Sequence, residues 1–309
     1  MKKTTSNPTP LWLDTDIGDD TDDIFALALI LASPELDLQG VSTVFGETEQ
    51  RARLAQTLLQ LHNRTDVPVH AGCGHLLLGP RRMEVMPNGP MSREPIAQGP
   101  CAKSAGRLPA LSPVHAVDAL AAHLHTHPQT TPVAIGPLTN LATLLLQDPA
   151  AAAKVSRFVV MGGEFKRAMW EWNIHCDPSS AACVIASGVP IDFIPWDIGM
   201  TCTISPAQLD RLFDSSSATG RLLTRAVKLW RKAKPTLHHL PRLFDPMAVA
   251  VLLHPEWFEW RRGRVTVSFA PATFAHTQFT PEAKGPHRVA WEVKKTAAVR
   301  KVWSRILSL

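Results

Sequence analysis

The sequence predicts an α/β fold: an open, mostly parallel central sheet with helices on both faces. Three observations lead there. Short apolar runs alternate with longer helix-like segments along the 309-residue chain. Repeated strand–helix alternation requires crossover connections, and therefore parallel neighbours. Polar residues and glycines follow directly on several of the apolar runs, which is where ligands gather in such sheets.

The elements follow in order. Residues 10–13 form a strand that ends at Asp14. Residues 22–33 form a helix with Ile24, Phe25, Leu27, Leu29, Ile30 and Leu31 pointing all round, so it is expected to be buried. A strand over 38–44 leads to a helix over 48–61, with Leu54, Leu58 and Leu61 on one face, and then to a short strand over 67–70. Residues 114–125 are helical and 132–135 a strand, after which Gly136-Pro137 opens a helix over 138–146. Residues 158–161 form a strand. Asp177-Pro178 starts a helix that Gly188 ends. A strand over 191–195 comes next, and Asp245-Pro246 opens a helix through Leu253. No internal repeat is visible, and residues 1–309 are expected to form a single domain. Its irregular part, 72–113, is rich in Gly and Pro and too long for a plain connection, so it is expected to be a loop-rich insertion near the site.

Charge is unevenly spread. The chain carries 32 Lys and Arg against 27 Asp and Glu, but six of those acids (Asp14, Asp16, Asp19, Asp20, Asp22, Asp23) fall within ten residues. The basic stretches 225–234, 261–264 and 294–305 interleave with apolar residues, as solvated faces do, so no nucleic-acid partner is expected. No run of about 18 apolar residues exists, so no membrane span is expected. Residues 1–10 lack the apolar core of a secretory signal, and the five cysteines are odd in number without CxxC spacing. Reduced thiols and a cytoplasmic location fit both observations.

A helix start accommodates about two carboxylates, not six. A hard divalent cation with oxygen ligands accommodates the rest, and calcium suits flexible carboxylate coordination better than magnesium. An EF-hand loop beginning at Asp14 fails, because Asp19 and Phe25 stand where Gly and Glu are needed. A haloacid-dehalogenase-like phosphatase also opens with a strand and DxD, but Gly18 replaces its usual Thr or Val. It stays as an alternative enzyme.

Asp14-Thr15-Asp16-Ile17-Gly18, followed by Asp22-Asp23, resembles the opening motif of the inosine–uridine-type nucleoside hydrolases. Further motifs of that family come in order: Thr43-Val44-Phe45-Gly46, the entry over 64–69, Gly136-Pro137-Leu138-Thr139-Asn140-Leu141-Ala142, Met161-Gly162-Gly163, Glu171-Trp172-Asn173 with Asp177-Pro178, and Phe244-Asp245-Pro246-Met247-Ala248.

The resemblance implies a Rossmann-like hydrolase that cleaves the N-glycosidic bond of ribonucleosides to ribose and free base, with Ca2+ as cofactor. It implies metal ligands Asp16, Asp23, Asp245 and the carbonyl of Ile135. Asp16 would also take the proton of the attacking water. Asp22, Glu171 and Asn173 would hold ribose hydroxyls, Met161 would lie against the sugar, and Asp14 would support the cluster. Family members are usually homodimers or homotetramers, which implies the same here. Asn140 is expected to be a helix-start cap, and Asp245 fits either a cap or a ligand.

Four departures bear on the substrate. Glu47 replaces an Asn that touches ribose. Residues 164–170 lack the usual Asn for the 5′-hydroxyl. The family's Gly-rich loop is not recognisable in 79–106. Phe244 stands where many members have a proton-donating His. Phe244, with Trp170 or Trp172, is expected to stack on the base, which slightly favours purine nucleosides. His239 and His238 are alternative acids, although a solvated pair is the plainer expectation. His123, His125 and His127 are expected on different faces, with no metal between them. The departures also admit a catalytically degenerate member that binds nucleoside or ribose without turnover.

Overall fold

The computed structural model describes residues 7–78, 96–103, 108–234 and 240–309. Its strands are β1 (Thr9–Thr15), β2 (Leu36–Thr43), β3 (Val69–Ala71), β4 (Thr131–Ala134), β5 (Phe158–Met161), β6 (Ile191–Ile194), β7 (Phe258–Val267), β8 (Thr277–Pro281) and β9 (His287–Val293). They form one sheet in the order β3-β2-β1-β4-β5-β6-β9-β7-β8. The run from β3 to β9 is parallel, and β7 pairs antiparallel with both β9 and β8. The sheet is therefore mostly parallel and open, as the alternation predicts.

The helices are α1 (Asp22–Leu31), α2 (Thr48–Leu61), α3 (Ala116–Thr126), α4 (Thr139–Gln147), α5 (Pro149–Ala152), α6 (Trp172–Cys176), α7 (Pro178–Ala186), α8 (Trp196–Thr201), α9 (Pro206–Phe213), α10 (Ala218–Ala233), α11 (Phe244–Leu253) and α12 (Lys295–Ile306). Two apolar cores lie against the sheet. One gathers residues of α1, α2, α10, α11 and α12, the other residues of α3, α4 and α7. Nearly every residue of α1 is buried, as its all-round apolar pattern requires. None of the helices among the described residues is long and apolar enough to cross a membrane.

Several boundaries differ from expectation, each for a local reason. β1 runs on to Thr15 because Asp14 and Thr15 pair with Ser42 and Thr43 of β2. α1 stops at Leu31, where the Ser33 hydroxyl donates to the Leu29 carbonyl at 2.6 Å. β3 starts only at Val69, since the amide of Val67 turns back to Arg64. The short α5 is additional, opened by Asp148, whose carboxylate accepts from the Ala151 amide at 2.9 Å. Strand β7 is half solvated and carries three arginines, so its apolar periodicity is faint.

The chain leaves β1 towards β2 and β3, then returns to β4 on the other side of β1. The carboxyl ends of β1 and β4 thus flank a topological switch point, where the strand order opens a crevice. The acidic stretch after β1 and the Ile135-Gly136 turn after β4 sit on its two sides.

Candidate active site

Asp14 closes β1 from within. It is fully buried, accepts from the Ser42 hydroxyl and from the Asn140 amide at 2.7 Å, and its second oxygen has no hydrogen-bond partner. Burial outweighs these bonds and pushes its pKa up to about 7. Asn140 therefore caps no helix. Its amide group also donates to the Thr43 carbonyl at 3.1 Å, and its side-chain oxygen accepts from the Cys73 amide at 2.8 Å. It is a buried cross-link between β1, β2 and the start of the 72–113 insertion.

Asp16 lies against the next strand. A Cβ on Gly136 would come within 2.8 Å of its carboxylate, so only glycine lets the β4 turn approach it. Burial pushes Asp16 up to about 6, with Arg51 opposing and Asp19 adding to the rise. Asp22 and Asp23 occupy the first turn of α1, and Asp245 the first turn of α11. Asp245 does not cap that helix, because the cap position is Leu243. Instead, carboxylate oxygens of Asp22, Asp23 and Asp245 all lie within 4.8 Å of one another, and all three residues are buried. Burial first, then the neighbouring carboxylates, raise all three pKa values well above the usual range. Three desolvated acids drawn together from residues 22 to 245 fit a hard cation with oxygen ligands.

The profile of the inosine-uridine preferring nucleoside hydrolases matches residues 11–303. The chain belongs to this family. With that membership it is an N-glycosyl hydrolase, a nucleosidase, and the phosphatase alternative ends. Among its relatives is the pyrimidine-specific ribonucleoside hydrolase RihA of Klebsiella pneumoniae, 34% identical over 262 residues, which cover 81% of each chain. Another is the non-specific ribonucleoside hydrolase RihC of Salmonella paratyphi B, 35% identical, covering 80% of this chain and 79% of the relative. A plant nucleoside hydrolase superposes with a TM-score of 0.81 at 25% identity, over 98% of this chain and all of that one. A purine-preferring ribonucleoside hydrolase of Gardnerella vaginalis shares the fold at a TM-score of 0.81 and 24% identity, over 97% and 98% of the two chains. Enzymes of the family are generally metal-dependent, and the buried trio is where this nucleoside hydrolase offers carboxylates for an ion.

The Ile135 carbonyl accepts from the Asn173 amide at 2.9 Å, and that amide also reaches the carbonyl of Met161 at 3.1 Å. Asn173 and Met161 thus meet at the ends of β4 and β5. Glu171 is buried and opens α6. Its carboxylate already accepts from the amides of Gly163, Asn173 and Ile174 at 2.9–3.1 Å. Glu47 is half-buried at the start of α2 and accepts from Gln50 at 3.4 Å. Phe244 is half-buried, but its aromatic neighbour is Trp196, with ring centroids 6.4 Å apart and planes 27° apart, rather than Trp170 or Trp172. Trp170 stacks on His175 instead, at 4.4 Å. His238 and His239 lie outside the described residues.

His123 and His127 do share a face. They are four residues apart and stack at 4.5 Å, while His125 pairs with Asp148. The five cysteines are all free.

Two residues escaped the sequence reading. Lys234, just past α10, meets Asp20 at 3.3 Å, inside a stretch expected to be solvated. Arg51 of α2 meets Asp19 at 2.7 Å. Its signal was its position: it shares the buried stripe of Leu54, Ala55 and Leu58, where a charge needs a partner.

Proposed function

We propose that this enzyme hydrolyses the N-glycosidic bond of ribonucleosides to ribose and free base with Ca2+ as cofactor. The convergence of Asp22, Asp23 and Asp245 carries the reading. Asp23, Asp245, Asp16 and the Ile135 carbonyl would hold the ion, and Asp22 would accept a hydrogen bond from a ribose hydroxyl. Calcium, when bound there, would supply Lewis-acid chemistry by lowering the pKa of a water.

The chain's own groups do the rest. Asp16 accepts the proton of the attacking water. The carbon–nitrogen bond breaks through a ribosyl cation-like state, whose positive charge the buried carboxylates stabilise; the base leaves with the bonding pair and takes up a proton, and the water oxygen bonds to the anomeric carbon. Asn173, Glu171 and Met161 line the sugar at the β4 and β5 ends, while Glu47 lies at the β2 end. Phe244 brings no proton and faces the base as an aromatic surface backed by Trp196. His239 is proposed as the acid that protonates the leaving base.

A slight preference for purine nucleosides goes with this aromatic surface, which stacks better on the larger ring system. Among the relatives, the pyrimidine-specific and non-specific names set the competing expectations. The same reading makes the protein a cytoplasmic homodimer or homotetramer, in line with its five free cysteines.

The test is a panel of inosine, adenosine, uridine and cytidine, assayed for free base with calcium and then with a chelator. Base release that needs calcium, and is modestly faster for purines, is expected. A clear pyrimidine preference refutes the role given to Phe244. Nucleoside binding by calorimetry with no base released over hours refutes turnover and leaves the degenerate member, which the loss of the family His at Phe244 favours.

A further inference from the structure

The calcium reading leaves Asp19 and Asp20 without a task, yet each is ion-paired. Lys234 holds Asp20 from outside, with both side chains partly exposed. Arg51 is different. It is 2% exposed, and its guanidinium is spent on the turns that follow β1 and β2. Nε donates to the Phe45 carbonyl at 2.7 Å. Nη1 donates to the carbonyls of Asp16 and, at 3.1 Å, Ile17. Nη2 donates to the Asp19 carboxylate at 2.7 Å. The Phe45 bond anchors a residue with φ of 69°, a left-handed conformation that non-glycine residues rarely adopt. One planar fork thus ties the turn after β2 to the acidic loop after β1.

We propose that Arg51 is a positioning residue, which fixes the main chain of Asp16 and Ile17 so that the loop's carboxylates are in place before calcium arrives. The inference rests on the calcium reading above. Two physical effects of Arg51 have opposite signs. As a charge, it repels a nearby cation, so removing it should tighten calcium binding. As an anchor, it removes freedom that the loop would otherwise lose on binding, so removing it should weaken calcium binding.

The test compares wild type, Arg51→Met and Arg51→Lys. It uses circular dichroism for the fold, calorimetry with calcium chloride for affinity, and base release for activity. Calcium affinity at least about ten-fold weaker in Arg51→Met is expected, against the direction of the charge effect. Arg51→Lys keeps the charge and loses the fork, and the anchor predicts weakening there too, with kcat falling more than KM rises. Unchanged or tighter calcium binding in Arg51→Met overturns the proposal. If that variant does not fold, Arg51→Lys decides alone, and wild-type affinity in it is the refuting result. Wild type that binds no calcium sinks the underlying reading as well, which the wild-type titration reveals separately.

Discussion

Four of the six aspartates within ten residues have a hydrogen-bonding or ion-pairing partner. Asp14 is held by Ser42 and Asn140, Asp19 by Arg51 and Asp20 by Lys234. Asp23 accepts from the Thr15 hydroxyl at 2.5 Å and meets Asp22 and Asp245 in the trio. Asp16 rests against Gly136. Asp23→Asn and Asp245→Asn each remove a proposed charged ligand while keeping volume. Both are expected to lower kcat/KM and calcium affinity by at least about a hundred-fold, with the circular dichroism spectrum unchanged. Wild-type calcium titration curves in both would refute the ligand assignment. Asn140→Ala is expected to act on stability. It leaves the Cys73 amide, the Thr43 carbonyl and the Asp14 carboxylate short of a buried partner, a cost of about 3 kcal/mol in urea unfolding.

At the scale of elements, the site depends on how closely the turn after β4 approaches β1. A Cβ at Gly136 would lie 2.8 Å from the Asp16 carboxylate and 2.9 Å from its amide nitrogen. Gly136→Ala is therefore expected to displace Asp16 and cut kcat by about ten-fold or more, with a smaller change in thermal stability. Unaltered kcat would show that Asp16 does not need its present place. The strands and helices around this turn were legible because apolar periodicity and Gly, Pro and Asp punctuation mark them, as at Asp177-Pro178 and Gly188. The family motifs likewise pointed to Asp22, Asp23 and Asp245. Pairings that depend on tertiary approach were not legible. Asn140 sits in a helix-start motif and looks like a cap until Cys73 and Thr43 are brought beside it. Trp196 follows a plain strand, and nothing local ties it to Phe244. Lys234 belongs to a basic run, and nothing local in that run points to Asp20.

At the scale of the whole molecule, the buried carboxylates make stability depend on pH and calcium together. Asp14 titrates in the native state near pH 7, against 3.8 for an ordinary Asp, and Asp16 near pH 6. Between about pH 4 and pH 7 the native protein thus binds protons that the unfolded chain has lost. The stabilisation is complete below about pH 4 and drains away as pH rises through the native values, so calcium-free protein is expected to melt several degrees lower near pH 7 than near pH 5. On the calcium proposal, the ion would take the place of the protons on Asp16, Asp23 and Asp245 in the folded site alone, so it should restore much of that loss near pH 7 and little near pH 5. Asp14 stands apart, held by Ser42 and Asn140 and assigned no ligand role, so its share of the slope should persist with calcium present. Asp14→Asn should remove that share. Thermal melts of wild type and Asp14→Asn, with and without calcium at both pH values, separate the two contributions. A melting temperature that rises with pH in calcium-free protein would contradict the raised pKa values. A calcium shift as large near pH 5 as near pH 7 would show that the ion does not compete with protons at these carboxylates.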